Sequence, residues 1–202
     1  AVLRDADEQD RVGVLAVLLT GADGGELLLA EGVALGVGPV VGADQKDVHR
    51  AVEAARLAKM AAAGGASALL VFPPAPFTLG QHAGMAIEHF RRIADATDLP
   101  LIAFQYPLAT GQGYPNETIL RMIEEIPTLK AIKDWAGTVQ QHEWHVRTLQ
   151  NLSRPFNVLS TQSSWLMASL TLGCRGLLSG SGSVIADLQA GANLTADDIV
   201  LI

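Results

Sequence analysis

From Gly36 onward the sequence alternates short apolar runs with amphipathic helical segments, and this alternation limits the possible folds more than any other feature. The apolar runs include ASALLVFPP, LPLIAFQYP, TLKAIKDWAG, FNVLSTQ and CRGLLSGSGS. Strands that are apolar throughout are buried on both faces, as in a parallel sheet that helices cover. The order therefore predicts an α/β fold, either a barrel or a doubly wound sheet.

Glycine spacing favours the barrel. No apolar run leads into a G-x-G-x-x-G helix start. The segment GLLSGSGS lacks both that spacing and the acidic residue that follows about 20 positions later in dinucleotide-binding sheets. We therefore predict one (β/α)8 barrel domain over residues 1–202, with its chemistry at the carboxyl ends of the strands.

Composition excludes several classes of partner. The chain is 49% hydrophobic with a net charge of −7, which argues against binding to nucleic acids or anionic membranes. No apolar run reaches the roughly 18 to 20 uninterrupted residues of a membrane helix. The one cysteine, Cys174, has no second cysteine to bridge within the chain, so we expect a reducing cytoplasm.

The segment LKAIKDWAG places Lys133 at the end of a strand that should be buried. Burial disfavours the ammonium form, so such a lysine has a lowered pKa and can add to a ketone to form an iminium. The alternative is a structural ion pair with Asp134 at the rim of the sheet. The residues alone leave both interpretations open.

Polar residues follow other strands at the same predicted edge, and Tyr106 is one of them. Its hydroxyl could carry the protons that iminium chemistry requires, although a tyrosine before a proline is often only a packing residue. The alternation of side chains along a strand groups Leu129, Ala131 and Lys133 on one face. We expect a twist at Pro107 if Tyr106 is to meet Lys133.

The histidines do not follow a zinc pattern. His142 and His145 stand three residues apart, whereas a zincin helix has His-Glu-x-x-His with the histidines four apart. We expect both to be surface residues of an amphipathic helix, and we predict no metal.

Several motifs occur in an order that resembles one enzyme family. They are LLVFPP, LIAFQYP, LKAIKD, NVLS and LGCRGLLSGSGSV, and the region that matches best is 36–187. This series resembles the dihydrodipicolinate synthase / N-acetylneuraminate lyase family of class I Schiff-base aldolases on a (β/α)8 barrel. The resemblance implies that Lys133 is the Schiff-base lysine and that Tyr106 is the proton-relay tyrosine of a Y-N-x-P turn. It also implies substrate-binding roles for Thr161, Ser163, Ser179, Gly180 and Ser181.

The resemblance implies a cytoplasmic homotetramer that acts on pyruvate-derived 2-keto acids without a cofactor. The family's N-terminal threonine motif has no counterpart, so the barrel should be incomplete at its N-terminal strands. An arginine used on aspartate semialdehyde is also absent, and Thr161 and Ser163 stand in a region where sialate lyases carry acidic residues. We therefore expect a 2-keto-3-deoxy sugar acid or a related hydroxy keto acid. The alternatives are a keto-deoxy sugar acid dehydratase, a dihydrodipicolinate synthase-type condensation, and a non-catalytic keto-acid binding protein.

Overall fold

The computed structural model describes residues 14–17, 46–180 and 199–201. Within these ranges one sheet has its strands side by side in chain order. Strands β2 to β7 run parallel to their neighbours, and β1 pairs antiparallel with β2. The strands are β1 Val14–Val17, β2 Ala68–Val71, β3 Leu101–Gln105, β4 Leu129–Asp134, β5 Asn157–Ser160, β6 Gly176–Ser179 and β7 Ile199–Leu201.

A helix precedes β2, and a helix links each strand from β2 to β5 with the next, as the alternating sequence predicts. These helices are α1 Lys46–Ala63, α2 Ala83–Ala94, α3 Asn116–Glu125, α4 Val139–Leu149 and α5 Leu166–Thr171. None of the described helices is long and apolar enough to cross a membrane.

The apolar side chains of the sheet divide into two layers, one on each face. The outer layer lies between the sheet and the helices, and its strand residues include Leu69, Ala103, Ile132, Val158 and Leu177. The inner layer lies on the opposite face. It consists of Ala68, Leu70, Ile102, Phe104, Ala131, Leu159 and Leu178, with Phe72 and Tyr106 partly buried against it. The two layers explain why the strands are apolar throughout, since both faces are buried.

Parallel strands with helices on one side and an inner apolar layer on the other form a curled half-barrel. The predicted class, an incomplete (β/α)8 barrel, is therefore confirmed. The single-domain boundary at residues 1–202 stays a prediction.

The pairing of β3 with β4 decides which side chains face each other at the carboxyl end. Phe104 pairs with Lys133 and Gln105 pairs with Asp134, after a register shift earlier in the two strands. Because Leu101 pairs with Leu129 and Ile102 with Ala131, Lys130 is left out of the register, and it is exposed. As a result Leu129 belongs to the outer layer while Ala131 belongs to the inner one, so the expectation that the two share a face is wrong.

Candidate active site

Lys133 lies at the carboxyl end of β4 with its side chain on the inner face of the sheet. It is 6% exposed, and its Nζ lies 4.7 Å from the centre of the Phe104 ring. Among the described residues, no acceptor forms a hydrogen bond or ion pair with this amine. Burial lowers the pKa of Lys133 to about 8. A substantial fraction of the amine is therefore neutral and nucleophilic at mildly alkaline pH.

Asp134 is turned away from Lys133 because successive residues of a strand point to opposite faces. Its Oδ2 accepts hydrogen bonds from His142 Nδ1 at 2.7 Å and from His145 Nδ1 at 2.8 Å. All three side chains are buried between β4 and helix α4. The ion pair between Lys133 and Asp134 that the sequence left open does not form.

The two histidines keep Asp134 ionised. Burial acts to raise the pKa of the carboxyl, but the hydrogen bonds from His142 and His145 outweigh that effect and lower it. A carboxylate only accepts hydrogen bonds, so Nδ1 of each imidazole carries the proton. The expectation that these histidines lie on the surface is wrong. They are 1% and 0% exposed, because the buried carboxylate of β4 supplies a partner for both.

No metal centre is formed in the part of the chain that the structure describes. Among those residues, no three or more histidine, cysteine, aspartate or glutamate side chains are grouped so that they could hold a metal ion. The Asp134 cluster is instead a set of direct hydrogen bonds between side chains.

Four aromatic rings, which we call the aromatic cluster, adjoin Lys133: Phe72, Phe104, Tyr106 and Trp135. The Phe104 ring lies in the middle, 5.1 Å from Phe72, 4.6 Å from Tyr106 and 6.3 Å from Trp135 between ring centres. Tyr106 and Trp135 are 5.4 Å apart. Phe104 is the ring that contacts the amine, and the other three rings pack around Phe104 or against each other.

Tyr106 shares the inner face with Lys133 without the twist we expected. Because Phe104 pairs with Lys133, the alternation of β3 already directs Phe104 and Tyr106 to the side of the lysine. Within the described residues, no hydrogen bond joins the Tyr106 hydroxyl to the amine. Partial burial raises the pKa of Tyr106, so its hydroxyl is protonated and able to donate.

Gln105 holds the turn that carries Tyr106. Its Nε2 donates to the carbonyl oxygens of Tyr106 and Tyr114, and its Oε1 accepts from the Tyr114 amide. Gly113 passes so close that a Cβ atom would stand 2.3 Å from the Tyr106 carbonyl oxygen. The backbone after β3 is therefore tightly fixed next to Lys133.

The residue directly opposite Lys133 is Phe104, which the sequence analysis did not single out. In a Y-N-x-P turn the tyrosine stands three positions before the proline. Counted from Pro107, that position is Phe104, and the β3–β4 register agrees with the count. The spacing to the proline could have identified Phe104 from the sequence. The ring that faces the amine thus lacks a hydroxyl, while the role of Tyr106 stays a prediction.

The structure brings some of the expected substrate-binding residues to the same end of the sheet. Thr161 follows β5 directly, and its amide donates to the Asp134 carbonyl oxygen at 3.1 Å. Gly180 follows β6 and is exposed, and Ser163 begins an exposed turn. Ser179 is fully buried, and the alternation with Leu178 turns it toward the helices rather than toward Lys133. Ser181 lies outside the described residues.

A separate open groove of about 820 Å³ lies beyond the loops that follow β3 and β4. Its walls come from these two loops and from α3 and α4, and they include apolar Pro107 and Trp144 as well as polar Glu117 and Gln141. Lys133 does not line it. The lysine site and the groove are therefore neighbouring features built on the same two loops.

Comparison with known proteins relates the chain to one family. The sequence model of the "Dihydrodipicolinate synthetase family" matches residues 48–193. The chain is 30% identical over 142 residues to the 4-hydroxy-tetrahydrodipicolinate synthase of Methanosarcina mazei, which covers 69% of this chain and 46% of that protein. It is 28% identical over 136 residues to the synthase of Helicobacter acinonychis, over 67% of this chain and 43% of that one.

Solved structures show the same fold. YagE of E. coli K12, a prophage protein of the dihydrodipicolinic acid synthase family in complex with pyruvate, has a TM-score of 0.61 at 24% identity over 71% of this chain and 49% of YagE. Dihydrodipicolinate synthase of Agrobacterium tumefaciens has a TM-score of 0.61 at 26% identity over 73% and 49%. CdNal of Clostridium difficile, in complex with mannosamine, has a TM-score of 0.60 at 18% identity over 71% and 49%. The chain spans about half the length of these relatives.

Proposed function

Because the chain belongs to the dihydrodipicolinate synthetase family, we propose that Lys133 forms a Schiff base with pyruvate or a related 2-keto acid. The protein would then be a class I lyase or aldolase, which makes or breaks a bond on the carbon next to the iminium carbon. The observation that carries the proposal is the buried Lys133 amine, which has no acidic partner among the described residues and whose pKa is about 8.

The chemistry follows from the neutral amine. Its lone pair attacks the ketone carbon, and the resulting carbinolamine loses water to give the iminium. The iminium accepts the electron pair of an adjacent C–H or C–C bond, so a proton or a carbonyl fragment leaves and an enamine forms. Asp134 would not hold the Lys133 amine in its ammonium form, because the carboxylate lies on the other face and accepts hydrogen bonds from two histidines.

Tyr106 is the proposed proton relay for the carbinolamine steps. Its protonated hydroxyl is carried on a ring that contacts Phe104, the neighbour of the amine. Loss of a positioned proton donor lowers rates by about 100-fold or more. We therefore expect Tyr106→Phe to reduce turnover about 100-fold. Little effect of Tyr106→Phe would contradict this role, and a rise in turnover in Phe104→Tyr would then assign the relay to the position opposite Lys133.

Substrate contacts are proposed for the polar groups at the strand ends. Thr161 and Gly180 follow β5 and β6 at the end that carries Lys133, and the resemblance adds Ser163, Ser179 and Ser181. Candidate reactions are the cleavage of a 2-keto-3-deoxy sugar acid and the dehydration of such an acid, which start from the same iminium. A synthase-type condensation is favoured by the names of the curated relatives. Assembly as a tetramer and a cytoplasmic location are proposed by family analogy.

Reductive trapping tests the proposal. The chain is treated with pyruvate and borohydride, and intact mass spectrometry is compared between the wild type and Lys133→Ala. We expect a pyruvyl adduct in the wild type alone, with peptide mapping that assigns it to Lys133. Absence of an adduct with pyruvate and with other 2-keto acids would overturn the proposal and favour a non-catalytic keto-acid binding protein.

A further inference from the structure

The aromatic cluster forms an apolar surface next to Lys133, and the proposed Schiff-base steps use only the Tyr106 hydroxyl of it. Its outer members reach the surface: Trp135 is 37% exposed, and Phe72 and Tyr106 are partly exposed. Phe104 packs between them and contacts the amine. Exposed aromatic surface beside a reactive group is typical of a binding site for an apolar ligand.

Charge is scarce at this end of the sheet. The residues that directly follow β2 to β6 include no lysine or arginine, and the first of them are Phe72, Tyr106, Trp135, Thr161 and Gly180. Asp134 is buried on the other face and is paired with histidines. Apart from Lys133, the described strand ends therefore supply no cation for a carboxylate, and the residues that follow β2, β3 and β4 directly are aromatic.

The physical consequence concerns the carbonyl compound that joins the keto acid. A polyhydroxylated aldehyde placed against these rings would lose hydrogen bonds to water without replacing them. An apolar ring placed there would bury its surface and stack edge-to-face or offset on the existing rings. We propose that the partner which Lys133 chemistry adds to, or releases from, the 2-keto acid is an aromatic or similarly apolar aldehyde. This inference rests on the proposed function.

The proposed step balances as an aldol reaction. The enamine carbon, C3 of the bound pyruvate, attacks the carbonyl carbon of the aldehyde and forms one C–C bond. The aldehyde oxygen takes up a proton and becomes a hydroxyl. Water then hydrolyses the iminium, which frees the Lys133 amine and a 4-hydroxy-2-keto acid that bears the apolar group on C4. The reverse sequence cleaves the same bond.

A comparison of two aldehydes tests the inference. Pyruvate is incubated with the chain and either benzaldehyde or glyceraldehyde, and kcat/KM for each condensation is measured from product formation by liquid chromatography. We expect kcat/KM to be about tenfold or more higher with benzaldehyde than with glyceraldehyde, because contacts with one apolar group can give discrimination of that size. A preference for glyceraldehyde would overturn the inference and support a sugar-acid substrate.

Variants link the preference to the aromatic cluster. Trp135→Ala should lower the benzaldehyde-to-glyceraldehyde ratio about tenfold, and Trp135→Phe should largely keep it. The ratio cancels any general loss of competent protein. The control is Met60→Ala, an exposed apolar change on helix α1, which should leave the ratio unchanged. An unchanged ratio in Trp135→Ala would also overturn the inference.

The same samples separate this inference from the proposed function. Each is trapped with borohydride and pyruvate alone before any aldehyde is added. If no adduct forms at Lys133, the proposed function fails and the aldehyde preference falls with it. If the adduct forms but glyceraldehyde is preferred, only the present inference fails.

Discussion

The two faces of strand β4 give two neighbouring ionisable residues very different surroundings. Lys133 and Asp134 are adjacent and both buried, yet the lysine meets an aromatic ring and the aspartate meets two imidazoles. Their pKa values are both lowered, but for different reasons. Burial alone lowers that of Lys133, whereas hydrogen bonds lower that of Asp134 against the effect of burial.

The difference shows how the fold keeps the proposed nucleophile apart from a hydrogen-bonded carboxylate. A carboxylate on the same face as Lys133 would stabilise the ammonium form and remove the nucleophile. The alternation of the strand prevents this by directing Asp134 to the helices, where it joins β4 to α4. The inner face is thereby suited to chemistry and the outer face to stability.

Loss of the amine should have the largest effect on activity. We expect Lys133→Met to abolish adduct formation and to lower turnover by about 10⁴-fold or more, as removal of a covalent nucleophile does. The unfolding free energy should stay the same or rise, because methionine fills the space without a charge to bury. Steady-state kinetics and urea denaturation measure the two quantities. A large loss of stability would show that Lys133 is structural and break the contrast between the faces.

Removal of the carboxylate on the outer face should act on stability. We expect Asp134→Ala to lower the unfolding free energy by about 3 kcal/mol, since it leaves two buried imidazole N–H groups without their acceptor. Urea denaturation measures the change. Asp98→Ala, at an exposed position, is the matched control and should stay within about 0.5 kcal/mol of the wild type. Equal effects from the two substitutions would contradict a structural role for the histidine cluster.

The lowered pKa of Lys133 should set the pH dependence of trapping. The rate of adduct formation with pyruvate should rise with pH through a midpoint near 8. In the folded state the lysine binds fewer protons than in the unfolded state between the folded pKa of about 8 and the ordinary value of 10.5, so stability should also rise with pH across that window. Lys133→Met should lack this rise. A trapping midpoint near the ordinary value would mean that the amine is not buried as described.

The smallest expected effect comes from comparing the two tyrosines of the chain, one on each side of the sheet. The Tyr114 hydroxyl is buried on the outer side of the sheet with no hydrogen-bond partner in the described part of the chain, whereas Tyr106 lies on the inner side. Tyr114→Phe removes an unsatisfied polar atom, so we expect the unfolding free energy to rise by about 1 kcal/mol or less, with unchanged turnover. Thermal unfolding and kinetics, run beside Tyr106→Phe, check this. A loss of turnover in Tyr114→Phe would show that the outer face takes part in the chemistry.

Much of the fold and the position of Lys133 could be predicted from the sequence. The apolar runs indicated strands buried on both faces, and an isolated lysine after Ala131 and Ile132 indicated a buried amine. The side chains that surround that amine were harder to predict from the sequence. The burial of His142 and His145 depends on how α4 packs on β4, and helical spacing alone does not reveal a buried acceptor on another element.

The sequence by itself determined the alternation of strands and helices, and hence an α/β fold, because apolar periodicity follows from local geometry. It also determined that one lysine would end a core strand. Only the tertiary structure decided that Phe104 faces this lysine, that Asp134 is held by two histidines, and that four aromatic rings meet beside the amine. These contacts depend on the register between strands and the packing of helices, which join residues that are distant in the chain.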